Sequence, residues 1–210
     1  MTVLNVAMFG SDELAKSIAK ATDQRDVHTY VHKEYQDEVA KIISIIRPAR
    51  YPERLRPLLN AISAGRVGII EVNSVDATLG EVLVAFASSS INLGLVVINP
   101  PNDEWIDEEM VKKMLAQAGL SKWKFIANDG VEIRNALYQL MEEIEQELVD
   151  SAASQLVVSI DQYFNVKGIG LVAIGYVQSG TINVHDELHI LPTKASGNTK
   201  SLQVMDDDVK

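Results

Sequence analysis

The stretch from Phe164 to Val209 decides the fold of the chain. It begins Phe164-Asn-Val-Lys-Gly168-Ile-Gly170-Leu-Val-Ala-Ile-Gly175-Tyr-Val-Gln-Ser-Gly180-Thr-Ile182, continues as Asp186-Glu-Leu-His-Ile-Leu-Pro192 and includes Lys200-Ser-Leu-Gln203. Apolar residues recur two apart, and turn residues divide the pattern into short pieces. Glycines at the divisions permit sharp bends and positive φ angles. The pattern predicts an all-β barrel at the C-terminal end of the chain.

This stretch resembles the second domain of the translational GTPases, the family of elongation factor Tu and the selenocysteine-specific SelB-type factors. The shared pattern is Phe-x-Val-x-Gly-x-Gly-x-Val, a Gly-x-Val-x-x-Gly turn, an Asp before alternating apolar residues and a Pro, and a Ser-Leu-Gln strand. His185 departs from it, since the family usually has Gly there. A generic β-barrel with similar turns is the alternative. The resemblance implies a P-loop-like G domain ahead of the barrel, as in an archaeal-type paralogue with degenerate motifs.

The composition is typical of a globular chain. With 210 residues and 47% hydrophobic content, it can form one large or two small cores. No apolar run has membrane-spanning length and the N-terminus is unlike a secretory signal, so we expect a cytoplasmic protein without a membrane partner. The absence of cysteine and the four histidines argue against a metal site. A net charge of −10 argues against DNA binding and confines any tRNA or ribosome contact to a local surface.

The first 152 residues alternate between strand and helix patterns. We predict strands over 2–9, 26–32, 67–72, 93–99 and 122–127, and helices after Gly10 and over 35–46, 53–63, 75–89, 103–117 and 132–149. This order predicts an α/β domain with a mainly parallel sheet. The small polar residues 150–154 read as a linker. We therefore place a degenerate G domain at 1–152 and the barrel at 153–210, as a natural short form or a fragment.

The turn after the first strand resembles an incomplete phosphate-binding loop. Against Gly-x4-Gly-Lys-Ser/Thr, residues 10 to 17 keep Gly10, Lys16 and Ser17, while Ala15 replaces the second glycine. Asp12 adds a carboxylate where phosphate would bind. The interpretation is weak or absent binding of GTP or GDP with magnesium. An ordinary strand-to-helix turn is the alternative.

The other nucleotide motifs of the family are also eroded. Residues 73–76, compared with the family's Asp-x-x-Gly, read Asn-Ser-Val-Asp, and no histidine lies between His32 and His185. Asn128 and Asp129 are faint counterparts of the family's last guanine loop, although turn chemistry explains them equally well. The resemblance implies a GTP hydrolase, but we expect hydrolysis to be lost and predict no catalytic residue.

Three functions remain open from the sequence. The first is a binding module derived from an elongation factor, acting near aminoacyl-tRNA or the ribosome through its barrel. The second is a working GTP-binding factor that delivers an aminoacyl-tRNA. The third is a scaffold or regulator that binds a protein partner through a basic cluster. A solvated helix face is the alternative explanation of that cluster. The cluster comprises Arg47, Arg50, Arg54 and Arg56.

Overall fold

A computed structural model describes residues 2–24, 27–36, 39–204 and 207–209. The chain forms two compact units, residues 1–145 and 146–210, and each is treated by itself. In the first unit the strands are β1 Thr2–Phe9, β2 Lys20–Gln24, β3 Val27–Gln36, β4 Val39–Pro48, β5 Val67–Val72, β6 Gly94–Ile98 and β7 Lys124–Ile126. The helices are α1 Asp12–Ile18, α2 Leu55–Ala64, α3 Ala77–Ala87, α4 Glu108–Ala118 and α5 Gly130–Ala152, of which α5 continues into the second unit.

The seven strands form one sheet in the order β2-β3-β4-β1-β5-β6-β7. β1 is parallel to β4 and β5, and the parallel pairing continues through β6 to β7. β2 and β3 are added antiparallel at the other side. This confirms the predicted α/β class with a mainly parallel sheet.

The strands at the centre of the sheet are mostly apolar and mostly buried. Every residue of β5 is buried, as expected for a strand covered on both faces. Phe86 of α3 meets Trp123 edge to face, with ring centroids 5.1 Å apart. Gly68 and Gly94 lie under the Trp123 indole, where a Cβ would have no room. The large aromatic ring therefore fills space that two strands leave open.

The predicted helix over 35–46 is wrong. Residues 39–48 form β4, which pairs with β3 from Gln36↔Val39 to Val27↔Pro48 and with β1 on its other side. Its isoleucines at 42, 43, 45 and 46 are buried on both faces. β-Branched residues favour such a strand, and their spacing also satisfied a helical face. Of the helices predicted over 35–46 and 53–63, only the second is found, as α2.

Smaller corrections concern the ends of elements. The predicted strand over 26–32 corresponds to β3. It is internal in the sheet, because β2, for which no strand was predicted, lies outside it; residue 26 falls outside the described residues. Trp105, assigned to a helix over 103–117, precedes α4 and is 82% exposed. The predicted linker begins inside α5, which ends at Ala152. Whether two separately folding domains meet near residue 152 stays a prediction.

The second unit is built from antiparallel hairpins. Its strands are β8 Val157–Val166, β9 Gly170–Ser179, β10 Glu187–Ile190, β11 Ala195–Asn198, β12 Leu202–Val204 and β13 Asp207–Val209, paired β8-β9, β10-β11 and β12-β13. Gly168, Gly170 and Gly180 have positive φ, as the turn pattern requires. This agrees with the all-β class predicted for the C-terminal part. The described residues form three two-stranded sheets, without the single closed sheet of a complete barrel.

The described helices were also compared with the length and hydropathy of membrane spans. None of them is both long and apolar enough to cross a bilayer.

The space above Gly68 gives a test of the packing. In Gly68→Ala the new Cβ would lie 2.2 Å from Cη2 of Trp123. We expect the free energy of unfolding to fall by about 1 to 3 kcal/mol, measured by urea denaturation. Gly80→Ala is the control, because nothing lies within 4 Å of its Cβ inside α3. It should raise stability by about 0.5 to 1 kcal/mol. Unchanged stability of Gly68→Ala would contradict the packing.

Candidate functional site

The candidate site lies where the central parallel strands end. Ligands of such sheets bind beyond the carboxyl ends of the strands. β1 ends at Phe9, and its neighbours β4 and β5 end at Pro48 and Val72. Gly10, Arg47 and Asn99 therefore come together around the start of α1.

The turn between β1 and α1 contains only Gly10 and Ser11. The Ser11 hydroxyl accepts the N–H of Leu14 at 3.1 Å and caps the helix. The remaining residues of the predicted phosphate-binding loop lie inside α1: Ala15 is fully buried, and the Ser17 hydroxyl donates to the Leu14 carbonyl at 2.7 Å. A phosphate-binding loop needs a run of backbone N–H groups around the ligand, and a two-residue turn does not supply it.

Lys16 is paired with a side chain of its own helix. Its ammonium lies 2.5 Å from the Asp12 carboxylate, to which the Tyr30 hydroxyl of β3 also donates. The Lys16 and Tyr30 hydrogen bonds lower the pKa of Asp12, and Asp12 raises the pKa of Lys16. Burial raises the pKa of Tyr30 to about 12, and the hydrogen bond to Asp12 is the second-largest cause of this shift. The Lys16 ammonium, which was expected to bind phosphate, therefore neutralises the Asp12 carboxylate of the same helix.

Glu71 is a functional residue that the sequence analysis missed. It lies on β5 and is only 2% exposed. One carboxylate oxygen accepts the backbone N–H of Ser11, and the other accepts the Asn99 side-chain amide at 2.6 Å. The signal in the sequence was an acid within an otherwise apolar strand, since buried carboxylates require specific partners.

Arg47 links β4 to the same turn. Its Nε donates to the Gly10 carbonyl at 2.7 Å, and its Nη1 lies 3.3 Å from Nδ1 of His28. The other three members of the predicted basic cluster are exposed: Arg50, Arg54 and Arg56. Arg47 therefore has an internal structural role, which leaves three arginines for a partner.

The second predicted nucleotide-binding segment begins α5. The Asp129 carboxylate accepts the N–H groups of Val131 and Glu132 at 2.8 and 2.9 Å, and Asn128 is exposed. Gly130 approaches the Ser17 carbonyl closely. The structure thus brings Ser17 near this turn, with Asp129 acting as a helix cap.

Two turns flank β1 at this edge of the sheet, because β4 and β5 both pair with it. The counterpart of Asp-x-x-Gly was expected only in the turn after β5, residues 73–76, because β4 was predicted to be a helix. The segment at the end of β4 reads Arg47-Pro-Ala-Arg50. Neither segment carries Asp-x-x-Gly, so correcting the strand count does not restore the motif.

GTP with magnesium, which the resemblance implies, does not fit this arrangement. The Ser11 N–H, the Gly10 carbonyl and the Lys16 ammonium all have internal partners. The Glu71 carboxylate lies beside the turn and would repel phosphate. Residual nucleotide binding at Gly10, Ala15, Lys16, Ser17, Asn128 and Asp129 stays a prediction.

The chain is similar in sequence to two proteins of Methanocaldococcus jannaschii. No protein-family model matches it. It is 30% identical over 211 residues to the uncharacterised protein MJ0325 of Methanocaldococcus jannaschii, matching 100% of this chain and 64% of that one. It is also 32% identical over 127 residues to the selenocysteine-specific elongation factor of the same organism, covering 55% of this chain and 27% of that protein.

Solved structures show the fold more completely. The whole chain matches 40% of a bacterial selenocysteine-specific elongation factor with a TM-score of 0.77 and 18% identity. It matches 50% of elongation factor SelB from Methanococcus maripaludis, in the apo form, with a TM-score of 0.68 and 19% identity. The chain therefore has a fold found in SelB-type factors. It spans 64% of the length of MJ0325, 50% of the Methanococcus maripaludis SelB chain and 40% of the bacterial factor.

Burial of Tyr30, together with its hydrogen bond to Asp12, predicts a loss of stability in alkali. The folded-state pKa of Tyr30 is raised to about 12, from an ordinary value near 10. Its contribution is therefore complete below pH 10 and is lost as the pH rises to about 12. In denaturant titrations over this range, Tyr30→Phe should decline less steeply with pH than the wild type. Equal slopes for the two proteins would contradict the assignment.

Proposed function

We propose that the protein is an elongation-factor-like binding module that works without GTP hydrolysis and with weak or absent GTP binding. The observation that carries this proposal is the turn after β1, where a SelB-type fold has a two-residue connection bonded to a buried carboxylate. The fold suggests translation, and the turn suggests that the nucleotide is dispensable.

Electrostatics support the loss of nucleotide affinity. A carboxylate about 4 Å from a phosphate costs on the order of 4 kcal/mol at an effective dielectric constant near 20. Glu71 is placed beside the turn to exert this cost, and Lys16 cannot offset it because Lys16 is already paired with Asp12. Hydrolysis would further require groups that position water and metal, because phosphoryl transfer depends on positioning and electrostatics. The segments flanking β1 offer no Asp-x-x-Gly for that purpose.

The C-terminal hairpins are the proposed contact for aminoacyl-tRNA or the ribosome. Their pattern resembles the family's second domain, and related proteins are named selenocysteine-specific elongation factors. Several large side chains of β8 and β9 are exposed, among them Tyr163 at 76% and Leu171 at 63%. A net charge of −10 favours a local contact over a broad grip on phosphates. This role would place the protein in the cytoplasm.

Titration with a fluorescent GTP analogue, with and without Mg²⁺, tests the nucleotide part of the proposal. We expect a Kd weaker than roughly 1 mM, equivalent to less than about 4 kcal/mol of binding free energy. The Lys16→Ala variant should behave like the wild type, because Lys16 is engaged with Asp12. Submicromolar, guanine-selective binding that depends on Lys16 would instead establish a working GTP-binding factor.

Capture on immobilised aminoacyl-tRNA or ribosomes at about 0.1 M salt tests the partner. We expect capture that is unchanged in Arg50→Glu/Arg54→Glu, because the contact is assigned to the hairpins. Tyr163→Ala should weaken capture. Because the Tyr163 side chain is exposed, this substitution should not disturb folding. The scaffold function would be favoured if neither aminoacyl-tRNA nor the ribosome captures the protein and if a protein partner binds the wild type but not Arg50→Glu/Arg54→Glu.

A further inference from the structure

We infer that the Glu71 carboxylate is a built-in replacement for a bound anion at the turn after β1. The proposal rests on the proposed function, because it explains how the turn is held without nucleotide. In α/β folds the turn after a central strand is a common anion site, with backbone N–H groups as donors. Here the donor is the Ser11 N–H, and its acceptor comes from the neighbouring strand β5.

The hydrogen bonds of Glu71 connect three neighbouring strands. Ser11 follows β1, Glu71 is on β5, and Asn99 follows β6. Oε2 accepts from Ser11 and Oε1 accepts from Asn99 at 2.6 Å, so each carboxylate oxygen has its own donor. A bound phosphate would collect donors from several turns in the same way. Because this carboxylate is covalently part of the sheet, the arrangement does not depend on ligand concentration.

Gly10 gives independent support from packing. A Cβ at this position would lie 2.8 Å from the Met8 Cε, 2.9 Å from the Glu71 Cβ and 3.0 Å from the Glu71 Oε2. Gly10 is not among the residues with positive φ, so the missing side chain is required for space. The glycine that resembles the first residue of a phosphate-binding loop therefore makes room for both Met8 and Glu71. Arg47 also holds Gly10, because its Nε donates to the Gly10 carbonyl oxygen.

Chemical rescue distinguishes an anion position from an ordinary buried contact. Glu71→Ala leaves two donors without an acceptor and a void of carboxylate size, so its melting temperature should fall by about 5 to 15 °C. Sodium formate should restore much of that loss, increasingly with concentration, whereas sodium chloride at equal ionic strength should not. The wild type should gain no more from formate than from chloride.

Glu71→Gln is the matched control. Its amide fills the space and offers only one acceptor oxygen, so it should be destabilised but not rescued. If Glu71→Ala does not fold on expression, its refolding yield from denaturant in formate against chloride gives the same comparison. Equal stability of Glu71→Ala and wild type, or equal behaviour in formate and chloride, would overturn the inference.

The two proposals fail differently. Lys16-dependent GTP binding by the wild type would overturn the proposed loss of nucleotide affinity, whatever the rescue shows. Absence of rescue with no GTP binding would overturn the anion replacement alone.

Discussion

The hydrogen bonds from Ser11 and Asn99 to the buried Glu71 carboxylate are the constraint on which the candidate site depends. A carboxylate at 2% exposure is costly unless its oxygens are satisfied, and here each oxygen has a donor. The donors follow β1 and β6, while the acceptor lies on β5 between those strands. The interaction therefore fixes the carboxyl edge of the parallel sheet.

This constraint places the remaining groups of the site. With Ser11 held, α1 begins at Asp12, so that Lys16 is one turn from Asp12 and pairs with it. Arg134 of α5 donates to the carbonyls of Ser17 and Ile18 at 2.8 Å and closes the other end of α1. A helix of seven residues is thus bonded at both ends by the protein itself. Internal bonding therefore holds both ends of α1 in a chain that has a fold found in SelB-type factors.

The sequence predicted the elements whose patterns are unambiguous. β1, β5 and β6 are apolar runs bounded by glycine or asparagine, and their existence and order were predicted correctly. β4 was not, because Val39, Ile42, Ile43 and Ile46 satisfy both a helical face and a strand buried on two sides. Pairing with β1 and β3 decides between these, and that information is not local. Alternation likewise predicted the all-β class of the C-terminal part, whereas closure of a barrel depends on pairing between distant strands.

The candidate site was predictable in place but not in content. The sequence located Gly10 at the end of β1 and Lys16 in the helix that follows, and the structure has both there. Glu71 was missed because its contact with Ser11 joins residues 60 positions apart. A glycine and a lysine near a strand end are compatible with phosphate binding or with internal bonding. Only the position of the carboxylate separates the two.

Hydrogen exchange at the Ser11 amide tests the central claim most directly. The account predicts slow exchange without nucleotide, since this N–H is bonded to a buried carboxylate, and the same rate after addition of GTP and Mg²⁺. Fast exchange that becomes slow only when GTP and Mg²⁺ are added would contradict it.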